Sequence, residues 1–297
     1  MINKLTTLTA AIMLVSTAAQ ANDQTVYQFP QVQPALGAQL QTLEKDSVEY
    51  WQKVSGKELK RGVPVFVNQA DNFIRIAPKA RFDNGEVFKP HGLQLDKLSV
   101  RDDNFRQMPM QTMVAQEQME NAGFNDGSVG LKLGQVNGKA MLRTSQALND
   151  NDTYLLHVIE KGSSNALHAK SQFKVKDHQQ RVAMQLSMGK KRFKDSDVQL
   201  TLSSPDGEKL DVRYENGEAV FNYPLETLGA VNGYYELEAS VNTKVNGQTV
   251  KRSIKMPFVH SMQTISMDKA KVTALGNNKY QAKVPVLVTE SGRFAIR

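Results

Sequence analysis

The chain has 297 residues, with 37 Lys and Arg against 30 Asp and Glu, a formal charge of +7, and no cysteine. Without cysteine there is neither a disulfide framework nor thiolate chemistry, so the fold must be held by its core alone. The mild positive excess favours attraction to acidic surfaces such as anionic glycans or lipid head groups and is too small to argue for nucleic acid as a partner.

The first predicted element is a secretory signal peptide over residues 1–21: Lys4 precedes the apolar run Leu5 to Ala19, and Ala19-Gln20-Ala21 forms a small-x-small cleavage site before Asn22. The run is short and rich in Thr and Ala for a membrane span. The expectation is therefore an exported protein, periplasmic or extracellular, with no integral membrane segment after cleavage. Cleavage leaves 276 residues with 36 basic against 30 acidic side chains, enough for two domains and part of a third.

Residues 22–177 read as a β-rich N-terminal domain with one or two helices. Pro30, Pro34 and Gly37 mark an extended lead-in over 22–37. The loose stripe Leu40, Leu43, Val48, Trp51 and Val54 predicts a helix, with Gly56 as its stop and Asp46 as an internal cap. Trp51 reads as a packing anchor against the following strands. Strands are expected at Val63–Val67, Phe73–Ala77, Glu86–Lys89 and Leu95–Val100, with turns at Asn84-Gly85 and His91-Gly92. Helix formers return from Gln111 to Ala122, with Met113, Val114 and Met119 on one side and Gly123 closing the segment. Further strands follow at Gly130–Leu133, Ala140–Arg143, Tyr154–Glu160 and Gln172–Lys176.

Residues 178–260 read as an immunoglobulin-like β-sandwich. Apolar residues alternate through Val182, Met184, Leu186 and Met188, then Val198, Leu200 and Leu202, then Leu210 and Val212, then Val220 and Phe221, then Tyr235 to Val241, then Val250 to Phe258. Period two means one buried face per strand. Pro205-Asp206-Gly207, Asn216-Gly217, Asn232-Gly233 and Asn246-Gly247 supply the positive φ of tight reversals. Residues 261–297 begin a second, incomplete sandwich: Ile265, Val272 and Ala274, a turn at Gly276-Asn277-Asn278, a strand from Tyr280 to Val288, a turn at Ser291-Gly292, and Phe294 to Ile296. Three strands leave an apolar face uncovered, and a reading frame shorter than its parent protein is the expectation.

The chemistry-bearing residue types are dispersed. His91, His157, His168, His178 and His260 never fall at the i, i+4 spacing that sets two imidazoles on one helix face. No nucleophile elbow, Walker loop or dinucleotide turn occurs, and Asp102-Asp103 reads as an ordinary loop cluster. Asn149-Asp150-Asn151-Asp152 brings side-chain oxygens together in a loop, which makes Asp150 and Asp152 the candidate calcium ligands. It lacks the Gly and distal Glu of an EF-hand, and Asn and Asp also serve as turn residues before a strand. Apart from calcium, no cofactor is expected. The densest basic run, Lys190, Lys191, Arg192, Phe193 and Lys194, falls where an inter-strand loop belongs and is the candidate ligand-binding segment, four cations around one aromatic.

Three stretches resemble a secreted bacterial family known as domain of unknown function 4785: Glu49 to Leu59 followed by Gly62-Val63, Gln118 to Phe124, and Thr289 to Phe294. The resemblance implies a β-rich N-terminal domain followed by tandem immunoglobulin-like modules, and it implies no activity or catalytic residues. The family pattern continues beyond the last motif, where this chain ends. Together these readings predict an exported, non-catalytic interaction protein that recognises a surface protein or glycan. Two alternatives stand beside it: a secreted hydrolase with its site in 22–177, and a periplasmic assembly factor that lends a strand edge to a client.

Overall fold

The computed structural model describes residues 41–288 apart from positions 84, 135, 137, 177–178, 223–224, 226–233, 262–264 and 277–278. The signal peptide, the lead-in 22–37, Leu40, His178, the turn at Asn232-Gly233 and the final motif from Thr289 lie outside the described residues, as do Asn84, Asn277 and Asn278.

The chain is mainly β, as expected. In order come β1 (Thr42–Ser47), β2 (Glu49–Ser55), α1 (Gly56–Arg61), β3 (Val63–Val67), β4 (Asn72–Lys79), β5 (Arg81–Asp83), β6 (Glu86–Phe88), β7 (Leu98–Arg101), β8 (Met110–Val114), α2 (Gln116–Asn121), β9 (Val129–Leu133), β10 (Gly138–Thr144) and β11 (Thr153–Glu160). There follow β12 (Leu167–Gln172), β13 (Lys174–Lys176), β14 (Arg181–Met188), β15 (Lys191–Arg192), β16 (Val198–Ser203), β17 (Lys209–Glu215), β18 (Glu218–Val220), β19 (Tyr235–Val245) and β20 (Gln248–Ser261). The last described strands are β21 (Ile265–Met267), β22 (Lys271–Gly276), β23 (Lys279–Lys283) and β24 (Val286–Val288).

Two apolar cores result. The first lies between a five-stranded sheet, β2-β11-β4-β9-β8, and a three-stranded sheet, β3-β10-β7. Tyr50, Ile74, Ile76, Leu131, Leu156 and Val158 enter it from the larger sheet, and Val65, Val100 and Leu142 from the smaller. The second core takes the alternating residues Val182 to Met188, Val198 to Leu202, Tyr235 to Val241 and Val250 to Phe258 in a sandwich-like arrangement. Leu167 and Ala169 of β12 belong to this second core and Leu43 of β1 packs against it, so the change of core falls between Val158 and Leu167. The expected reversals at 207, 216–217 and 246–247 all have positive φ, from 50° to 87°.

Two helix expectations are corrected. Residues 42–55 are strands: β1 pairs with β12 and β2 with β11. Tyr50 and Val54 point into the core while Trp51 and Lys53 point out, an alternation that the loose stripe had disguised. Gly56 starts a helix instead of ending one. Ser55 caps α1, its hydroxyl accepting from the Glu58 N–H while the Glu58 carboxylate accepts from the Ser55 N–H, a complete capping box. In the second segment only Gln116–Asn121 is helical, because Met110–Val114 is drawn into the sheet by pairing with β9. Met119 is buried there, whereas Met113 is exposed, so the expected methionine stripe does not form. Leu95–Lys97 is a 3-10 turn and only Leu98–Arg101 a strand.

Beyond the second core, the expected single strand Tyr280–Val288 is two. β22–β23 and β21–β24 form separate two-stranded sheets. Val272, Ala274, Tyr280 and Ala282 share one face of the β22–β23 pair, and Val272 and Tyr280 are 64% and 70% exposed, which agrees with an uncovered apolar face.

The two cores are tied together by polar contacts around β20. Arg252 and Glu160 are both fully buried, with Nη1 2.6 Å from Glu160 Oε2. Nη1 also donates to the Lys251 carbonyl at 2.7 Å, and Glu160 Oε2 accepts no hydrogen bond, so the carboxylate contact is one of charge. Arg252 Nε donates to the Asn165 carbonyl and Nη2 to Ser163 Oγ, each at 2.9 Å, while Glu160 Oε1 accepts from the Asn68 N–H. The Ser47 hydroxyl donates to the Ser253 carbonyl at 2.6 Å, and Asn68 Nδ2 to the Thr249 carbonyl at 3.1 Å.

Candidate functional site

The junction also aligns the outward faces of two sheets. β2 is an edge strand of the five-stranded sheet, and it lies against the outer side of β20. Lys251 reaches the inward-facing side of β2, its Nζ 3.4 Å from Gln52 Oε1 and 4.9 Å from the Phe66 ring centre. Lys255 reaches the outward side, its Nζ 5.8 Å from the Trp51 ring centre. The outward faces of the five-stranded sheet and of the sandwich therefore border one crease.

Register fixes what each wall presents. On the five-stranded sheet Trp51 pairs with His157, Lys53 with Leu155, and Lys79 with Thr153, all on the outward face. Trp51 stacks on His157, with ring centres 5.0 Å apart, and His157 Nε2 lies 2.7 Å from Glu49 Oε2. On the sandwich wall the rows are Asp211, Thr201, Glu238, Lys255 and Lys209, Ser203, Glu236, Pro257. Lys255 Nζ sits 2.8 Å from Glu236 Oε1 and 3.9 Å from Glu238 Oε2.

Register sets Lys53 and Lys79 on one wall and Lys209 and Lys255 on the other. Partial burial holds the Lys79 ammonium below the usual lysine range, Lys53, Lys209 and Lys255 press it further down by repulsion, and Glu238 opposes them. Like charges so grouped attract an anion, since each added negative group relieves several repulsions at once. The indole of Trp51, stacked on His157 and overhung by Lys255, adds a half-buried apolar edge. Farther along the same sheet, Arg75 lies 4.4 Å from the Phe124 ring centre, donates from Nε to Ser128 Oγ at 3.1 Å, and pairs with Asp126, so its charge is already satisfied.

The residues singled out by sequence lie elsewhere. In the basic run, Lys190, Arg192 and Lys194 are exposed, and Lys191 and Arg192 form β15 at the margin of β14. Phe193 turns inward and belongs to the second core, and Lys191 Nζ is bonded to Thr243 Oγ1. The segment therefore offers separate surface cations and no exposed aromatic between them.

Asp150 is paired through its side chain, and Asp152 takes part through its backbone. The Asp150 carboxylate lies 2.7 Å from Lys60 Nζ, whose hydrogen bond holds it below the usual carboxylate range. The carbonyls of Asp150 and Asp152 accept from the Lys57 and Gly56 N–H groups at the start of α1. This is the turn role the sequence also allowed. Among the described residues no three His, Cys, Asp or Glu side chains are grouped to hold a metal ion, and no helix is long and apolar enough to cross a membrane.

Sequence reasoning passed over the crease because its lysines are widely separated in the chain. The usable signal was Trp51 and Lys53 at positions of equal parity in one strand, legible only once 49–55 is read as β.

Comparison with known proteins adds fold and family. No curated protein matches the chain. A crystal structure of a DUF4785 family protein from Legionella pneumophila subsp. pneumophila str. Philadelphia 1 is similar with a TM-score of 0.61 at 18% identity, over 84% of this chain and 69% of that one, a likeness that shows the fold. Residues 15–160 match the family model described as the domain of unknown function (DUF4785) N-terminal domain, a stretch that includes the residues of the first core.

Proposed function

We propose that the chain is an exported, non-catalytic binding protein whose immunoglobulin-like modules and N-terminal domain together present a recognition surface to a glycan or surface protein. The grouping of Lys53, Lys79, Lys209 and Lys255 beside Trp51 carries this reading. The residues come from both β units, so the surface exists only when the two are docked. The leader at residues 1–21 and the absence of cysteine support export of a protein that needs no oxidative folding.

The hydrolase alternative has its best support in the 2.7 Å pairing of His157 with Glu49 on the same face. Incubating the purified chain with panels of polysaccharides and peptides distinguishes the two. Retention of ligand without new reducing ends or new amino groups is the expected result. Turnover that disappears in His157→Asn or Glu49→Gln would replace the binding reading with the hydrolase.

A further inference from the structure

The ligand class follows from what else lines the crease, and this step rests on the binding reading above. We infer that the crease between the five-stranded sheet and the sandwich binds an acidic polysaccharide, with Lys53, Lys79 and Lys209 taking its carboxylates and the edge of Trp51 meeting its sugars.

Three observations select that class. First, the cations are interrupted by acids: Glu236 and Glu238 sit in the rows between Lys209 and Lys255, and Glu49 lies two residues before Trp51 on the same face. Nucleic acid presents a phosphate charge about every 1.7 Å of duplex and would bring phosphates against these carboxylates. A polysaccharide spaces its carboxylates by whole sugars and offers hydroxyls between them, which Glu236, Glu238, Thr201 and Ser203 can bond.

Second, the aromatic is fixed at the foot of the crease. Trp51 is backed by His157 on one face and overhung by Lys255 on the other, so the ring is held before any ligand arrives and a ligand meets its edge. Third, the cations stand on two walls that meet along β2 and β20, with Lys53 and Lys79 on one and Lys209 and Lys255 on the other. A chain lying along the crease can touch both walls. A flat lipid surface meets one wall at a time and cannot reach Trp51 at their foot.

Lys255 differs from the other three because it is already paired with Glu236. It orients Trp51 and closes the junction, so the test leaves it unchanged. The purified full chain is run by affinity electrophoresis in gels containing polygalacturonate or neutral dextran, at low and at raised salt. Retardation by polygalacturonate alone, relieved by salt, is expected. The variant K53Q/K79Q/K209Q should bind about tenfold or more weakly, while K190Q/R192Q/K194Q, on the exposed basic run, should bind as the parent does. Circular dichroism on both variants confirms that the fold is kept.

Equal retardation of the crease variant and the parent would overturn the inference, as would no retardation by polygalacturonate. Loss of binding in the 190–194 variant alone would move the site to that segment. Retardation by dextran that is abolished by Trp51→Ala would refute the acidic class and leave the binding reading standing. Release of reducing ends from polygalacturonate would instead remove the non-catalytic reading.

Discussion

Arg252→Ala should lower the stability of the chain by about 3–5 kcal/mol, the range for removing one partner of a buried ion pair. Arg252 and Glu160 are both fully buried, and truncation leaves the Glu160 carboxylate with the Asn68 N–H as its remaining partner. It also strands the Asn165 carbonyl, which now accepts from the guanidinium, and leaves the Ser163 hydroxyl with the Asn165 N–H as its donor. The matched double change Arg252→Met with Glu160→Met should recover most of that loss, because no uncompensated charge is then left inside. Urea unfolding followed by circular dichroism checks both. A loss below about 1 kcal/mol for Arg252→Ala, the level of an exposed pair, would mean that water reaches the junction and that the two cores are not locked there.

Gly56→Ala should be nearly as damaging, by about 1–3 kcal/mol, the usual cost of overpacking a filled site. An added Cβ would stand 2.1 Å from the Asn149 carbonyl oxygen and 3.1 Å from the Leu148 Cβ. The obstacle is backbone, so no rotamer change relieves it. The two backbone bonds that anchor α1 to the 150–152 loop, from Gly56 to Asp152 at 2.7 Å and from Lys57 to Asp150 at 3.3 Å, must stretch or break. Thermal melting is the direct check. A melting temperature equal to the parent's would show that the loop moves freely away from α1, contrary to the packed arrangement described above.

Gly56 also shows where sequence reading stops. A glycine after an apolar stretch reads as a helix terminator, yet here it is required because a distant loop crosses close to the chain. Only the tertiary fold reveals that approach. The same limit explains Leu43, Tyr50 and Val54, whose spacing resembles a weak helical stripe but whose conformation is decided by pairing with β11 and β12, far later in the chain. In the second core, local pattern and final structure agree. There β14, β16 and β19 are amphipathic with period two and the turns carry residues that accept positive φ, as at Asn216-Gly217 and Asn246-Gly247.

The candidate site divides along the same line. Lys190 to Lys194 are legible as a basic run because they are contiguous, but the inward turn of Phe193 could not be read from composition. Lys53, Lys79, Lys209 and Lys255 are unremarkable singly. They face one junction because β2 and β4 lie in one sheet, β17 and β20 in the other, and β2 lies against β20, and register is what a single sequence specifies least well.

Trp51 is the sole tryptophan of the chain, which makes its fluorescence a reporter of the crease and of nothing else. Titrating polygalacturonate into the purified protein should change that emission saturably, and the change should vanish at high salt and in K53Q/K79Q/K209Q. Emission that stays constant while the polysaccharide is shown by electrophoresis to bind would contradict the account, because it would place the ligand somewhere other than between these two sheets.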